Sequence, residues 1–181
     1  MDSIFSARAA AEAIPIWFVT SANYPDVQHA IGAEASAFAK AAGFEPKAGR
    51  HLLVPSNGDA GRALGGVLFG VEGADDAKDG TKDPFLTGRL PHHLPDGIYR
   101  FANEPPDARL AALAFALGAY RFTRYRKAEA RSIKLYLPQS IAREELEHIV
   151  EGVTLARDLI NTPANDMGPA QLEQAARKLA A

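Results

Sequence analysis

A chain of 181 residues with 47% hydrophobic and 23% charged content is long enough to bury one substantial core and is too apolar for a disordered polymer. Its 20 Lys and Arg against 22 Asp and Glu leave a formal charge of -2, which gives no compositional ground for nucleic acid or an anionic membrane as partner. No cysteine is present, which excludes disulfides and thiolate metal ligands and fits a reducing compartment.

The N-terminal stretch carries Asp2 and Glu12 and is interrupted by Pro15, so it does not read as a signal peptide. No run approaches the ~20 apolar residues of a membrane span, and a cytoplasmic location is the expectation. Ile14 to Val19 reads as a buried strand. Residues 26–42 place Val27, Ala30, Ile31, Ala35 and Phe38 at helical spacing, with Gly43 as the stop. His51 to Val54 and Val67 to Val71 are short strand candidates, neighbours or a hairpin, joined by the turn-like SNGDAGRALGG.

Residues 72–94 are rich in Asp, Lys, Gly and Pro and read as a surface excursion, because Pro84, Pro91 and Pro95 each disfavour helix before them. Ile98 to Phe101 is a further strand. Residues 108–120 are apolar on most faces, as in a helix buried on more than one side. Ile133 to Leu137 alternates as a strand and ends at Pro138, after which Ser140 can cap a helix running to about Ile160. A last helix begins near Pro169. Strands interleaved with helices of this length predict a three-layer α/β domain with a mixed central sheet flanked by helices, followed by a linker helix.

Few of the polar clusters look like sites. His92 and His93 with Asp96 form a surface pair short of the three or four converging ligands a metal needs, and His29, His51 and His148 are widely spaced surface or core-edge groups. Asp75, Asp76, Asp79 and Asp83 lack the ordered loop and closing Glu of a calcium site, and Lys78 and Lys82 oppose a cation. The glycines of GDAGRALGGVLFGVEG lack the lysine of a phosphate loop and serve turns and close packing. Arg121, Arg124, Arg126, Lys127 and Arg131, interleaved with Phe122 and Tyr125, suit packing and interdomain or subunit ion pairs better than a nucleic-acid groove.

Two segments of the last third carry a resemblance. GAYRFTRYR, Gly118 to Arg126, resembles the stretch of the leucyl aminopeptidase (M17) family where a helix leaves the N-terminal domain. RDLINTPAN, Arg157 to Asn165, with Pro169, is similar to that family's linker helix and the entry to its catalytic domain. The resemblance implies a macro-domain-like fold and a bacterial cytoplasmic enzyme, commonly a hexamer. Such an enzyme removes N-terminal residues from peptides with two divalent ions such as Zn²⁺ or Mn²⁺.

The family's ligands, a Lys and several carboxylates, and its assisting Arg lie in motifs like FDSGG and NTDAEGR, none of which occurs here. No catalytic, cofactor-binding or metal residue is therefore assigned. The two ions are expected in a missing catalytic domain, and the 181-residue chain alone is expected to be inactive.

The resulting division is a noncatalytic α/β domain over 1–138, a linker helix with its NTPAND loop over 139–168, and the opening of a truncated peptidase domain over 169–181. Asn161, Thr162, Pro163 and Asn165 are the candidate linker residues, satisfying helix-end groups and stiffening the turn. The alternative is a free-standing macro-like module for a nucleotide-like ligand, on which such a tail has no use.

Overall fold

The computed structural model describes residues 3–7, 11, 13–56, 64–72, 83–125 and 131–180. In chain order the elements are β1 (Phe5–Ser6), β2 (Ile14–Val19), α1 (Tyr24–Ile31), α2 (Ala33–Ala41), β3 (His51–Pro55) and β4 (Leu64–Gly70). A 3-10 segment (Leu86–His92) precedes β5 (Gly97–Phe101), α3 (Ala108–Gly118), β6 (Ile133–Tyr136), α4 (Arg143–Asn161) and α5 (Pro169–Leu179). The strands form one six-stranded sheet in the order β1-β6-β5-β2-β4-β3. Only β3 runs antiparallel to its neighbour, so the sheet is mixed.

Alternation along the strands builds the layers. Ile16, Phe18, Val67 and Phe69 point to one face, where α3, α4 and the 3-10 segment cover them, while Val19, Val54 and Leu68 point to the other, under α1 and α2. Phe18 meets Phe101 edge-on at 5.0 Å and Phe69 at 6.2 Å. The two fully buried rings, Phe18 and Phe69, each contribute about 1.5–3 kcal/mol of transfer free energy. α3 is buried on all sides from Ala111 to Phe115 and on to Ala116, as its sequence requires. Its start is capped by Asp107, whose carboxylate accepts from the Leu110 amide at 2.8 Å.

Several expectations are corrected. The helix over 26–42 is two helices, because Gly32 between them adopts φ 87, a conformation other residues resist. Within α2 it is Ala35 and Ala39 that face inward, and Phe38 is 42% exposed. β4 begins at Leu64, inside the stretch read as a turn. Residues 86–94 are not a surface excursion: Leu86, Thr87, Leu90, Pro91 and Leu94 are buried against α3. Prolines excluded an α-helix there, but a short 3-10 turn tolerates Pro91. Ser140 does not cap α4; it lies in a turn closed by the Ile141 amide on the Pro138 carbonyl, and the helix begins after Ala142.

Candidate functional site

The two segments quoted for the family resemblance meet in space, at the C-terminal end of α4. The Tyr120 hydroxyl donates to Asp158 Oδ1 at 2.7 Å and accepts from Asn161 Nδ2 at 3.1 Å. Arg157 donates to the Leu117 carbonyl at 2.7 Å, with its guanidinium 5.3 Å from the centre of the Tyr120 ring. Tyr125 donates to Asp166, and Arg124 donates to Thr162 Oγ1 at 3.4 Å.

Local chemistry explains why α4 stops here. Pro163 disfavours helix at the residue before it, and Thr162 is extended at φ -76, ψ 122. The buried Thr162 turns its hydroxyl back onto the Asp158 carbonyl at 2.6 Å, satisfying a group the helix leaves free. The Pro163 carbonyl then accepts from the Asp166 amide at 2.9 Å. Burial, followed by the neighbouring Asp158, raises the Tyr120 phenol above its ordinary range against the opposing pull of Asn161 and Arg157. The hydroxyl is thereby kept as a donor.

Of the four linker candidates, Asn161 and Thr162 make side-chain bonds and Pro163 makes a backbone one. Exposed Asn165 makes none among the described residues. Sequence reasoning missed Tyr120, Asp158 and Asp166 as their partners. The signal was present in the two quoted segments, but nothing local says that they touch.

Beside this junction lies an open cleft of about 660 Å³, at the start of β6 and thus at the N-terminal end of that strand. Ligands of open α/β sheets settle at the opposite, C-terminal ends. One wall is α4, with Glu147, Glu151 and Asp158; the other carries Arg121, Arg124 and Arg131. Most of these charges are already engaged. Glu147 accepts from Ser3 and Arg143, which hold its carboxyl below the usual range. Arg131 donates to the carbonyls of Pro91, His92 and Leu94 and pairs with Asp96 at 3.7 Å. The basic segment thus packs within the chain at Arg124 and Arg131, while Arg126 and Lys127 lie outside the described residues.

At the C-terminal end of β2, Asn103 takes the place of a further ladder residue. Its side-chain amide accepts from the Phe18 amide at 2.8 Å and donates to the Phe18 carbonyl at 2.8 Å.

The remaining candidates resolve one by one. Asp75, Asp76 and Asp79 lie outside the described residues, and Asp83 accepts from the Phe85 amide in a turn. In the glycine-rich stretch, a Cβ on Gly70 would lie 2.1 Å from the Lys47 carbonyl oxygen, so close backbone packing demands the residue. His93 turns away from a site with His92 and Asp96 and stacks on His51, their ring centres 4.5 Å apart. No three His, Cys, Asp or Glu side chains among the described residues converge to hold a metal ion, so they do not fit a two-metal centre. Among the described residues no helix is long and apolar enough to cross a membrane.

The family model of the M17 aminopeptidase N-terminal domain matches residues 14–138. A probable cytosol aminopeptidase of Wolinella succinogenes is 30% identical over 156 residues, covering 76% of this chain and 31% of that protein. The chain thus spans about a third of the length of this curated relative. The crystal structure of a cytosol aminopeptidase from Coxiella burnetii superposes with a TM-score of 0.80 at 33% identity, covering 98% of this chain and 37% of that one. The bottromycin maturation enzyme BotP shares the fold, with a TM-score of 0.66 at 22% identity over 93% of this chain and 37% of its own. The family model, the curated relative and the solved structure agree, and the chain belongs to the M17 aminopeptidase family, carrying its N-terminal domain.

Proposed function

We propose that this chain is the noncatalytic N-terminal portion of a two-metal leucyl aminopeptidase, a cytoplasmic homo-oligomer, hexameric in the whole protein, that removes N-terminal residues from peptides. In this reading it supports assembly and shapes access to an active site carried by a following domain. The observation that supports it best is the lock of Tyr120 on Asp158 and Asn161, which fixes the direction in which α4 leaves the domain. Beyond that lock α5 has no buried residue, and Ile160, Leu172 and Leu179 are 81%, 53% and 74% exposed. Such apolar surface suits a peptidase domain laid against it.

Asn161, Thr162, Pro163 and Asn165 then form the linker, between an α/β domain over 1–138 and a peptidase domain entered at 169. Two divalent ions, Mn²⁺ or Zn²⁺, would act in that domain, where paired metals activate water and polarise the scissile carbonyl. No side chain of this chain is assigned to them.

The test is hydrolysis of leucine amide with added Mn²⁺ or Zn²⁺. The 181-residue chain is compared with a protein in which it is followed by the C-terminal region of the Wolinella relative. Activity is expected only in the longer protein, and turnover by the short chain would overturn the assignment. Titration with ADP, read by the amides of the cleft, tests the nucleotide-binding alternative, which the engaged charges of that cleft do not favour.

A further inference from the structure

His51 opens β3, the edge strand, and shares a face with Leu53, which packs on the cluster beneath α3 and the 3-10 segment. Leu52 and Val54 point the other way, toward α1 and α2. His93 ends the 3-10 segment, its amide donating to the Leu90 carbonyl at 2.9 Å. The two rings lie nearly parallel, 28° apart in plane with centres at 4.5 Å. His51 is half-buried and His93 exposed. The stack therefore ties the free edge of the sheet to the segment that crosses α3.

Among the described residues no carboxylate pairs with the stack. On the 3-10 segment Arg89 lies against Gly49 and His92 is exposed. Before β3, Glu45 is taken by Lys47 at 2.6 Å and Arg50 at 3.8 Å. After the 3-10 segment, Asp96 is paired with Arg131. β4 presents Phe69 opposite His51, with Glu72 just past the strand, and α2, with Glu34 and Lys40, packs on the opposite face. Burial first, and then the charge of His93, hold the His51 imidazole below its ordinary range, and no carboxylate among the described residues offsets them.

A stack of one neutral and one charged ring is stable, but two imidazoliums at this separation repel in a half-dry setting. We propose that His51 and His93 form a proton-operated clasp that fastens β3 to the 3-10 segment, closed while at most one ring is protonated and released when both are. Above the ordinary imidazole range both folded and unfolded chains hold neutral rings, and pH has no effect through this pair. As pH falls through that range the unfolded or opened state takes up protons that the closed stack refuses. The strand loses protection from there downward.

The test is an NMR titration of the imidazole Hε1 signals in the 181-residue chain, with amide exchange of β3 followed from pH 7 to pH 5. The His51 step is expected below the ordinary imidazole range. Protection of β3 relative to β2, corrected for intrinsic exchange, is expected to fall by up to about tenfold per pH unit below the ordinary imidazole range. His93→Phe keeps a ring without its charge, and is expected to raise the His51 step and reduce the acid-linked loss. His93→Gln reads the same His51 step should the phenylalanine disturb packing. An unchanged His51 step in both variants, or β3 protection that ignores pH in the parent, would overturn the clasp.

Discussion

Gly118→Ala is expected to destabilise the domain although alanine is the better helix former. Gly118 closes α3 where the 3-10 segment crosses it, and a Cβ there would stand 2.0 Å from the Gly88 carbonyl oxygen and 2.8 Å from the Gly88 Cα. The obstacle is backbone, so no side chain can swing aside. Real Cβ contacts stop near 3.0 Å, and the two backbones must part by about 1 Å in a close-packed interior. The 3-10 segment has little freedom to retreat, because Leu90 and Leu94 are fully buried beneath it.

Overpacking of this kind costs about 1–3 kcal/mol. The gain from replacing a helical glycine is about 0.5–1 kcal/mol, and less at the last position of a helix. The net is a loss of about 1–2 kcal/mol. Gly152→Ala supplies the control, since nothing lies within 4 Å of a Cβ there and only the helix gain remains. Urea unfolding followed by circular dichroism should lower the midpoint of Gly118→Ala by about 0.5–1 M and raise that of Gly152→Ala. A Gly118→Ala midpoint at or above the parent's would refute the claim that this crossing needs a bare backbone.

Two further outcomes follow from the junction and the core. Tyr120→Phe keeps the ring beside Arg157 but removes the hydroxyl from Asp158 and Asn161, a loss of about 1–2 kcal/mol. It should speed amide exchange in the last turn of α4 more than in β2, and equal effects at both places would count against a local lock. Tyr99 is fully buried with its hydroxyl on the Pro95 carbonyl at 2.7 Å, and burial pushes its phenol up to about 12. The folded chain thus keeps a proton that the unfolded chain loses near pH 10, so stability should fall as pH rises from 10 toward 12. Absorbance at about 295 nm should show one tyrosine ionising late, and a titration without that late phase would contradict it.

The elements legible in the sequence are those whose pattern is local. Ile14–Val19 and Ile133–Tyr136 carry their own burial, and α3 declares itself by an apolar run on most of its faces. β1 was not legible, since two residues become a strand only by pairing with Leu135 and Tyr136. The 3-10 segment was hidden by its prolines, although Leu86, Leu90 and Leu94 recur at a helical interval that marks a buried face. At the junction, Asn161 and Thr162 could be picked as helix-end groups from their chemistry. The Tyr120 partner of Asn161 could not, because a contact between residues 41 positions apart leaves no periodic trace. The pairing of His51 with His93 escaped for the same reason.

The far end of the domain also holds its beginning. Arg143 at the start of α4 donates to the Phe5 carbonyl, 138 positions earlier, and Ser3 reaches Glu147 across a similar interval. During synthesis at about 5–20 residues per second, β1 must wait on the order of ten seconds for these partners to leave the ribosome. The inner strands β2 and β4 can pair long before then, so β1, made before both, is fixed in place after them. A defect in the first turn of α4 would accordingly be read out more than a hundred residues earlier, as loss of the edge strand β1 from a sheet whose centre is still intact.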